Sequence, residues 1–470
     1  MKKIIHPLVG VSPTGKEQHM KKIMLIALGL LFSSFLQAQD SSSKKLEALL
    51  TAYAKLNRFN GAVLIAKQGN IILQKGYGVK NAANKTVNDA DTKFQVASIT
   101  KQFTGTVILK LVELKKMSLT DKLSKYYPGF ANGDSISIEQ LLTHTSGMHN
   151  LTEEDTVIEK TNELQQIAFI KTFKPDFVPG SSWHYSNSGY IMLGYIIQKV
   201  SGMSYYEAVR QYIFAPLHMN NSGFDFAQVT GNDRSIGYNV LNDTIQQAAA
   251  VTDSTVPFAA GAIYSTVKDM YQWHRGLQQY KIVSKALMDK AYQPCSKNNY
   301  GYGWQLDSLY GKRIISHSGA ISGFGSNFAR VPEEDLCIIL LSNKSGATGE
   351  LMQLTNKLLA ALYNQPYSIP VKRTPVTLSE DSLKQYQGTY EIAAMHLIIE
   401  MTVNNGVLAA FPSRDGNRGP TSILFALGNN HFYDKFDEEL EISFTRDEKG
   451  KVNGFNLLQM GIKKYAAKIK

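Results

Sequence analysis

The chain has 470 residues, of which 43% are hydrophobic and 19% charged, with a formal net charge of +11 at pH 7. This length accommodates more than one domain, and the balance is that of a globular protein, which excludes a collagenous, low-complexity or disordered chain. Residues 1–38 hold five lysines against one glutamate, a net +4, so a product beginning at Gln39 keeps +7 with dispersed lysines, which argues against a nucleic-acid partner.

Met20-Lys21-Lys22 followed by the apolar run 23–32 has the basic and apolar regions of a secretory signal. Translation from Met20 would put them at the N-terminus, and cleavage is expected after Ala38. The apolar run is short for a bilayer span and turns polar at Ser33, so residues 1–38 read as a signal peptide region. The mature protein is expected to be periplasmic or secreted, with no stable membrane span.

Residues 41–57 predict an amphipathic helix with Leu46, Leu49, Leu50 and Tyr53 on one side. Residues 61–66 and 71–77 predict two strands joined by a turn at 67–70. Ser98 then opens a helical run in which Ile99, Phe103, Val107, Ile108 and Leu111 recur on one face. In Ser98-Ile-Thr-Lys101 the hydroxyl and the amine share a face one turn apart, at a helix N-terminus that favours developing negative charge. An N-cap candidate and helical run within 134–142, a partly helical cap over 151–178, helices at 189–199 and 205–213, and a helix starting at 260–269 follow. From Gly311 the pattern turns to strands, and 350–363 is helical. Residues 364–375 form a proline-rich linker, and beyond it about eight short strands with turn signals predict a small barrel or half-barrel.

Ser98-x-x-Lys101, Tyr185-Ser-Asn187 and His317-Ser318-Gly319, in that order, resemble the active-site elements of the serine β-lactamase and penicillin-binding protein superfamily. The tyrosine in the second element resembles class C β-lactamases, D-alanyl-D-alanine carboxypeptidases, D-aminopeptidases and esterases. Thr143-His-Thr-Ser-Gly147 and Tyr300-Gly-Tyr-Gly-Trp304 extend the resemblance, which covers roughly residues 45–365. It implies an α+β fold, an antiparallel sheet flanked by helices with the first two strands paired onto the late ones. The hydrolase domain then spans 39–363, and 376–470 resembles the lipocalin-like domain appended to such hydrolases.

The resemblance also implies a chemistry. Ser98 would attack a carbonyl, Lys101 and Tyr185 would handle its proton, and the backbone N–H groups of Ser98 and Ala320 would hold the oxyanion. The sequence leaves open which of Lys101 and Tyr185 takes the serine proton, since a tyrosine beside a cation can approach the phenolate. Asn187 would reach the substrate or brace Lys101. His317 replaces the commoner lysine and would supply positive charge only below about pH 6.5, so efficient β-lactam hydrolysis is not expected. Ser318 would bind a substrate carboxylate and Gly319 would let the strand lie close to the substrate backbone.

The expected function is an exported serine hydrolase acting on D-amino-acid-containing peptides such as peptidoglycan stems, with no cofactor. The alternatives are a small-ester esterase or weak β-lactamase, a non-catalytic penicillin- or peptide-binding protein, and a ligand carrier built on the C-terminal barrel. His144, His149 and His184 lack metal-ligand spacing, so no metal is expected. Trp183 and Tyr190 read as packing residues and Arg330 as a surface-paired cation. Of the two cysteines, Cys337 lies in a strand that reads as buried, so a bridge to Cys295 is not expected.

Overall fold

The computed structural model describes residues 42–470 except 155–158, 405, 415, 420, 435–439 and 460–461. The signal-like segment lies outside the described residues, and among them no helix is long and apolar enough to cross a membrane.

Helix α1 (residues 42–55) leads into strands β1 (Gly61–Lys67) and β2 (Asn70–Tyr77). A helical region follows, containing α2 (Thr100–Glu113), α3 (Glu163–Thr172), α4 (Asn187–Ser201) and α5 (Val267–Gln278). The chain then forms β3 (Gln305–Leu309), β4 (Lys312–Ile321), β5 (Phe324–Val331) and β6 (Leu336–Ser342) before α6 (Thr348–Leu362). These strands make one antiparallel sheet of order β2-β1-β6-β5-β4-β3, so the first two strands add onto the last four, as the resemblance implies.

The central strands are apolar on both faces because each face has its own core. On β1, Ala62, Leu64 and Ala66 enter one cluster and Val63 and Ile65 the other, while on β6 Cys337, Ile339 and Leu341 oppose Leu336, Ile338 and Leu340. A period of two thus feeds two layers. Helices α1 and α6 cover one face through Leu46, Leu50, Leu351, Leu354 and Leu358, and the helical region covers the other. Cys337 is fully buried and both cysteines are free.

Three local expectations are corrected. Ser98 does not start an α-helix: Ala97 takes a left-handed φ of 48°, and residues Ala97–Ile99 form a 3-10 turn before α2 begins at Thr100. The run from Ala260 breaks into the short helix Phe258–Gly261 and a pairing of Tyr264–Ser265 with Phe94–Gln95. Thr266 then caps α5 by accepting the Asp269 N–H, which is why the helix starts late. The helix expected at 205–213 is α-helical only over Tyr205–Val209 and continues as a π turn over Arg210–Phe214.

Residues 365–379 carry no regular structure. Beyond them, β7 (Gly388–Ile392), β8 (Leu397–Asn404), β9 (Val407–Arg414), β10 (Ser422–Gly428), β11 (His431–Asp434), β12 (Glu441–Arg446), β13 (Val452–Gln459) and β14 (Ile462–Lys468) form a closed antiparallel barrel. Its order is β8-β7-β14-β13-β12-β11-β10-β9, and β9 pairs back onto β8. Contacting rings fill it: Tyr386 lies 4.4 Å from Phe444 and 5.0 Å from Phe432, and Phe455 lies 5.6 Å from Phe444 and 5.0 Å from Tyr390.

Candidate active site

The elements named by sequence converge where the 96–98 turn, the start of α4 and the end of β4 meet. Lys101 is fully buried, and its Nζ lies 3.2 Å from Ser98 Oγ, 2.7 Å from Asn187 Oδ1 and 2.8 Å from the Ala260 carbonyl oxygen. Burial holds this amine well below the ordinary lysine pKa. A neutral amine has two N–H donors and one lone pair. In that neutral form, with the two shorter contacts to obligate acceptors taking the donors, the lone pair would face Ser98 Oγ.

The Tyr185 ring lies beside Ser98 and 4.8 Å from Lys101 Nζ. Burial raises the phenol above its ordinary pKa, and Ser98 only partly offsets this, so Tyr185 stays protonated. This removes the phenolate that the sequence left open. Tyr190 is buried and donates to the Leu142 carbonyl at 2.7 Å, a packing role.

His317 is not a latent cation. Its Nδ1–H donates to the Ser318 carbonyl at 2.6 Å and its Nε2 accepts from Tyr300 Oη at 2.8 Å, so both nitrogens are used by a neutral ring. The ring is buried, and burial together with Lys101 pushes its pKa down to about 3. The charge expected below pH 6.5 is therefore displaced far to acid.

The strand beyond His317 brings backbone to the serine. Strand β3 pairs with β4 only as far as Ser316↔Gln305, leaving His317–Ile321 without a strand partner on that edge among the described residues. On its other edge Gly319 pairs with Ser326 and Ala320 with Gly325. A Cβ on Gly319 would sit 2.3 Å from the Val96 carbonyl oxygen and 3.1 Å from Ala97 Cβ, so only glycine allows the strand to lie against the 96–98 turn. Ser318 is half-buried and Ala320 exposed.

Several residues of the site escaped sequence reasoning. Asn150 Oδ1 accepts the Asn187 backbone N–H at 3.0 Å, and Thr152 Oγ1 accepts from Asn187 Nδ2 at 3.0 Å. His144 lies behind Tyr185, ring centroids 4.4 Å apart, and its Nδ1 accepts the Ser186 N–H at 3.1 Å. Its position inside 143–147 was a signal for it, whereas Asn150, Thr152 and the Ala260 carbonyl carry no local signature. His149 and His184 pair with carboxylates, and among the described residues no group of three or more His, Cys, Asp or Glu is arranged to hold a metal ion. Arg330 is no surface cation: it is 1% exposed and donates to His274 Nδ1, Tyr292 Oη and Gln278 Oε1.

The chain matches the family model described as Beta-lactamase over residues 46–362. It is 30% identical over 313 residues to PbpX of Bacillus subtilis (strain 168), an alignment covering 67% of this chain and 78% of that protein. The octameric penicillin-binding protein homologue from Pyrococcus abyssi superposes with a TM-score of 0.64 at 25% identity, covering 90% of this chain and 99% of that one. The D-amino acid amidase from Ochrobactrum anthropi SV3 shares the fold, with a TM-score of 0.59 at 22% identity and coverage of 70% and 99%.

Proposed function

The chain belongs to the beta-lactamase family over residues 46–362, and on that premise we propose that it is an exported serine hydrolase that cleaves an amide or ester through an acyl-serine at Ser98. The observation that carries this reading is Lys101, a buried amine held by Asn187 Oδ1 and the Ala260 carbonyl oxygen with its Nζ 3.2 Å from Ser98 Oγ. A serine hydroxyl needs such a base to become a nucleophile.

In this reading Lys101 takes the Ser98 proton as Oγ bonds to the substrate carbonyl carbon. The carbonyl electron pair moves onto oxygen, where the N–H groups of Ser98 and Ala320 receive it. Collapse expels the amine or alcohol, which leaves with a proton returned from Lys101 through Tyr185. Water then repeats the sequence on the acyl-enzyme and releases the acid. Tyr185, kept protonated by burial, acts as the relay and not as the base.

The substrate class we favour is a D-amino-acid-containing peptide such as a peptidoglycan stem. The open edge of β4 suits an extended backbone lying beside Ser98. A D-amino acid amidase shares the fold, which supports the same stereochemical class. With His317 uncharged and both its nitrogens engaged, amides and esters without a carboxylate at this subsite are favoured over anionic β-lactams. The basic and apolar stretch 20–32 supports export. A carrier role for the barrel is disfavoured by the rings that fill it.

The test is the intact mass of the protein after exposure to a penicillin or an activated ester, repeated with Ser98→Ala. An adduct or product release that depends on Ser98 is expected with the ester at least. Turnover preserved in Ser98→Ala would refute the assignment, and no adduct with either probe would favour a binding protein.

A further inference from the structure

Beside the site lies a cluster of two histidines and three carboxylates that the chemistry above does not use. We propose that His149, His184 and Asp176 are positioning residues, forming a histidine–carboxylate clamp that holds the 150–154 segment on the N-terminus of α4 and so keeps Asn187 Oδ1 turned towards Lys101. The proposal rests on the reading of Lys101 as the base for Ser98.

Asp176 is the hub. Its Oδ1 lies 2.7 Å from His149 Nδ1 and its Oδ2 2.9 Å from His184 Nδ1. The far nitrogens reach the next segment: His149 Nε2 lies 3.1 Å from Glu154 Oε1, and His184 Nε2 lies 3.0 Å from Glu153 Oε1. An ionised carboxylate only accepts hydrogen bonds, so His149, placed between Asp176 and Glu154, is favoured in the form that carries both protons. The backbone ties the hub to the 144–147 loop, with Asp176 N–H donating to the Gly147 carbonyl and His184 N–H to the His144 carbonyl.

The clamped segment sets the orientation of one amide. Thr152 Oγ–H donates to Asn150 Oδ1 at 3.0 Å, which leaves Thr152 Oγ1 as an acceptor for Asn187 Nδ2. Asn150 Nδ2 donates to Glu153 Oε1 at 3.2 Å, and the Leu151 N–H donates to Ser188 Oγ at 3.0 Å. With its NH2 on Thr152, Asn187 must present Oδ1 to Lys101. That contact consumes an amine proton and keeps the lone pair on Ser98. A reversed amide would place N–H groups against the amine and draw its lone pair away from the serine.

The clamp is sensitive to pH, and the sign follows from its charges. Burial alone would lower the pKa of His149, but hydrogen bonds and charges from Asp176, Glu154 and Glu153 outweigh burial and raise it. Burial of Asp176 is likewise outweighed by the two histidines, which lower its pKa. The groups facing the rings are Asp176, Glu153, Glu154, the Phe173 ring and the buried neutral His144. A histidine raised above its ordinary value keeps its contribution at lower pH and loses it as pH rises through the raised value, so the clamp opens on the alkaline side.

The experiment measures acylation and turnover of an activated ester from pH 5 to 9 for wild type, Asp176→Asn, Asp176→Glu and the double variant Glu153→Gln/Glu154→Gln. For Asp176→Asn a loss of ~10- to 100-fold in kcat with little change in KM is expected, the scale of a misplaced catalytic group. Asp176→Glu should recover part of it. The double variant keeps acceptors while removing charge, so its kcat should fall less at pH 6 than at pH 9, moving the alkaline limb to lower pH. Should Asp176→Asn fail to fold by circular dichroism, the double variant decides. A wild-type kcat–pH profile in the folded variants would overturn the clamp while a Ser98-dependent adduct still stood. An adduct independent of Ser98 would instead overturn the underlying reading.

Discussion

Replacing Gly319 with alanine tests how closely β4 must approach the nucleophile. Strand backbone tolerates alanine, so the cost is steric alone. The new Cβ would meet the Val96 carbonyl oxygen at 2.3 Å and Ser326 Oγ at 2.5 Å, whereas ordinary contact begins at 3.4 Å. Ser326 Oγ can rotate away at the price of its 2.8 Å bond to the same Val96 carbonyl. The carbonyl itself belongs to the turn that carries Ser98, so strand and turn must part by about 1 Å, the difference between those distances. A shift of that size between nucleophile and oxyanion donor costs roughly 100-fold in rate. Crowding in a packed interior adds a destabilisation of about 1–3 kcal/mol. The assay is the acylation rate constant for an activated ester by stopped flow, with a urea melt on the same sample. A folded Gly319→Ala protein acylating within about threefold of wild type would refute the reasoning that Ala320 and Ser98 act as a fixed pair.

Two further outcomes follow from the charge states. Because Lys101 is held well below the ordinary value of 10.5, kcat/KM for an uncharged ester should keep its activity at pH 7 and show its acid limb far below 10.5. A limb near 10.5 would show the amine to be solvated and protonated. His317→Lys should raise acylation by anionic β-lactams by introducing a cation where wild type has none. Wild type itself should show no gain in that rate as pH falls from 8 to 5, since burial pushes the His317 pKa down to about 3; a gain centred at 6.5 would contradict the buried, doubly bonded ring.

What the sequence made legible was local or periodic. Ser98 and Lys101 fall on one face because they are three residues apart, and the continuous apolar runs of β1 and β6 suit strands covered on both faces. Hidden were the effects of residues that meet only through the fold. Tyr300 hydrogen-bonds His317 from 17 positions away, and Asn150 and Thr152 reach Asn187 across 37 and 35. A backbone carbonyl, Ala260, holds Lys101 with no side chain to advertise it. His149 and His184 looked isolated because Asp176, which joins them, lies in a polar stretch with no pattern of its own. Arg330 read as exposed since its three acceptors come from α5 and the segment after it.

The same burial acts in opposite directions on the two groups that would move the serine proton. It penalises the ammonium of Lys101 and the phenolate of Tyr185 alike, lowering one pKa and raising the other, so it favours the neutral form of each. His144 and His317 are neutral for the same reason. Charge would then appear beside Ser98 only as the oxyanion and the protonated lysine form together, in a setting whose donors are already aimed. A site of this kind gains its stabilisation in the transition state and gives little to a substrate that arrives charged. On that argument the neutrality of the pocket, more than its shape, would separate amide and ester substrates from anionic β-lactams, and His317 would be the residue through which the preference is set.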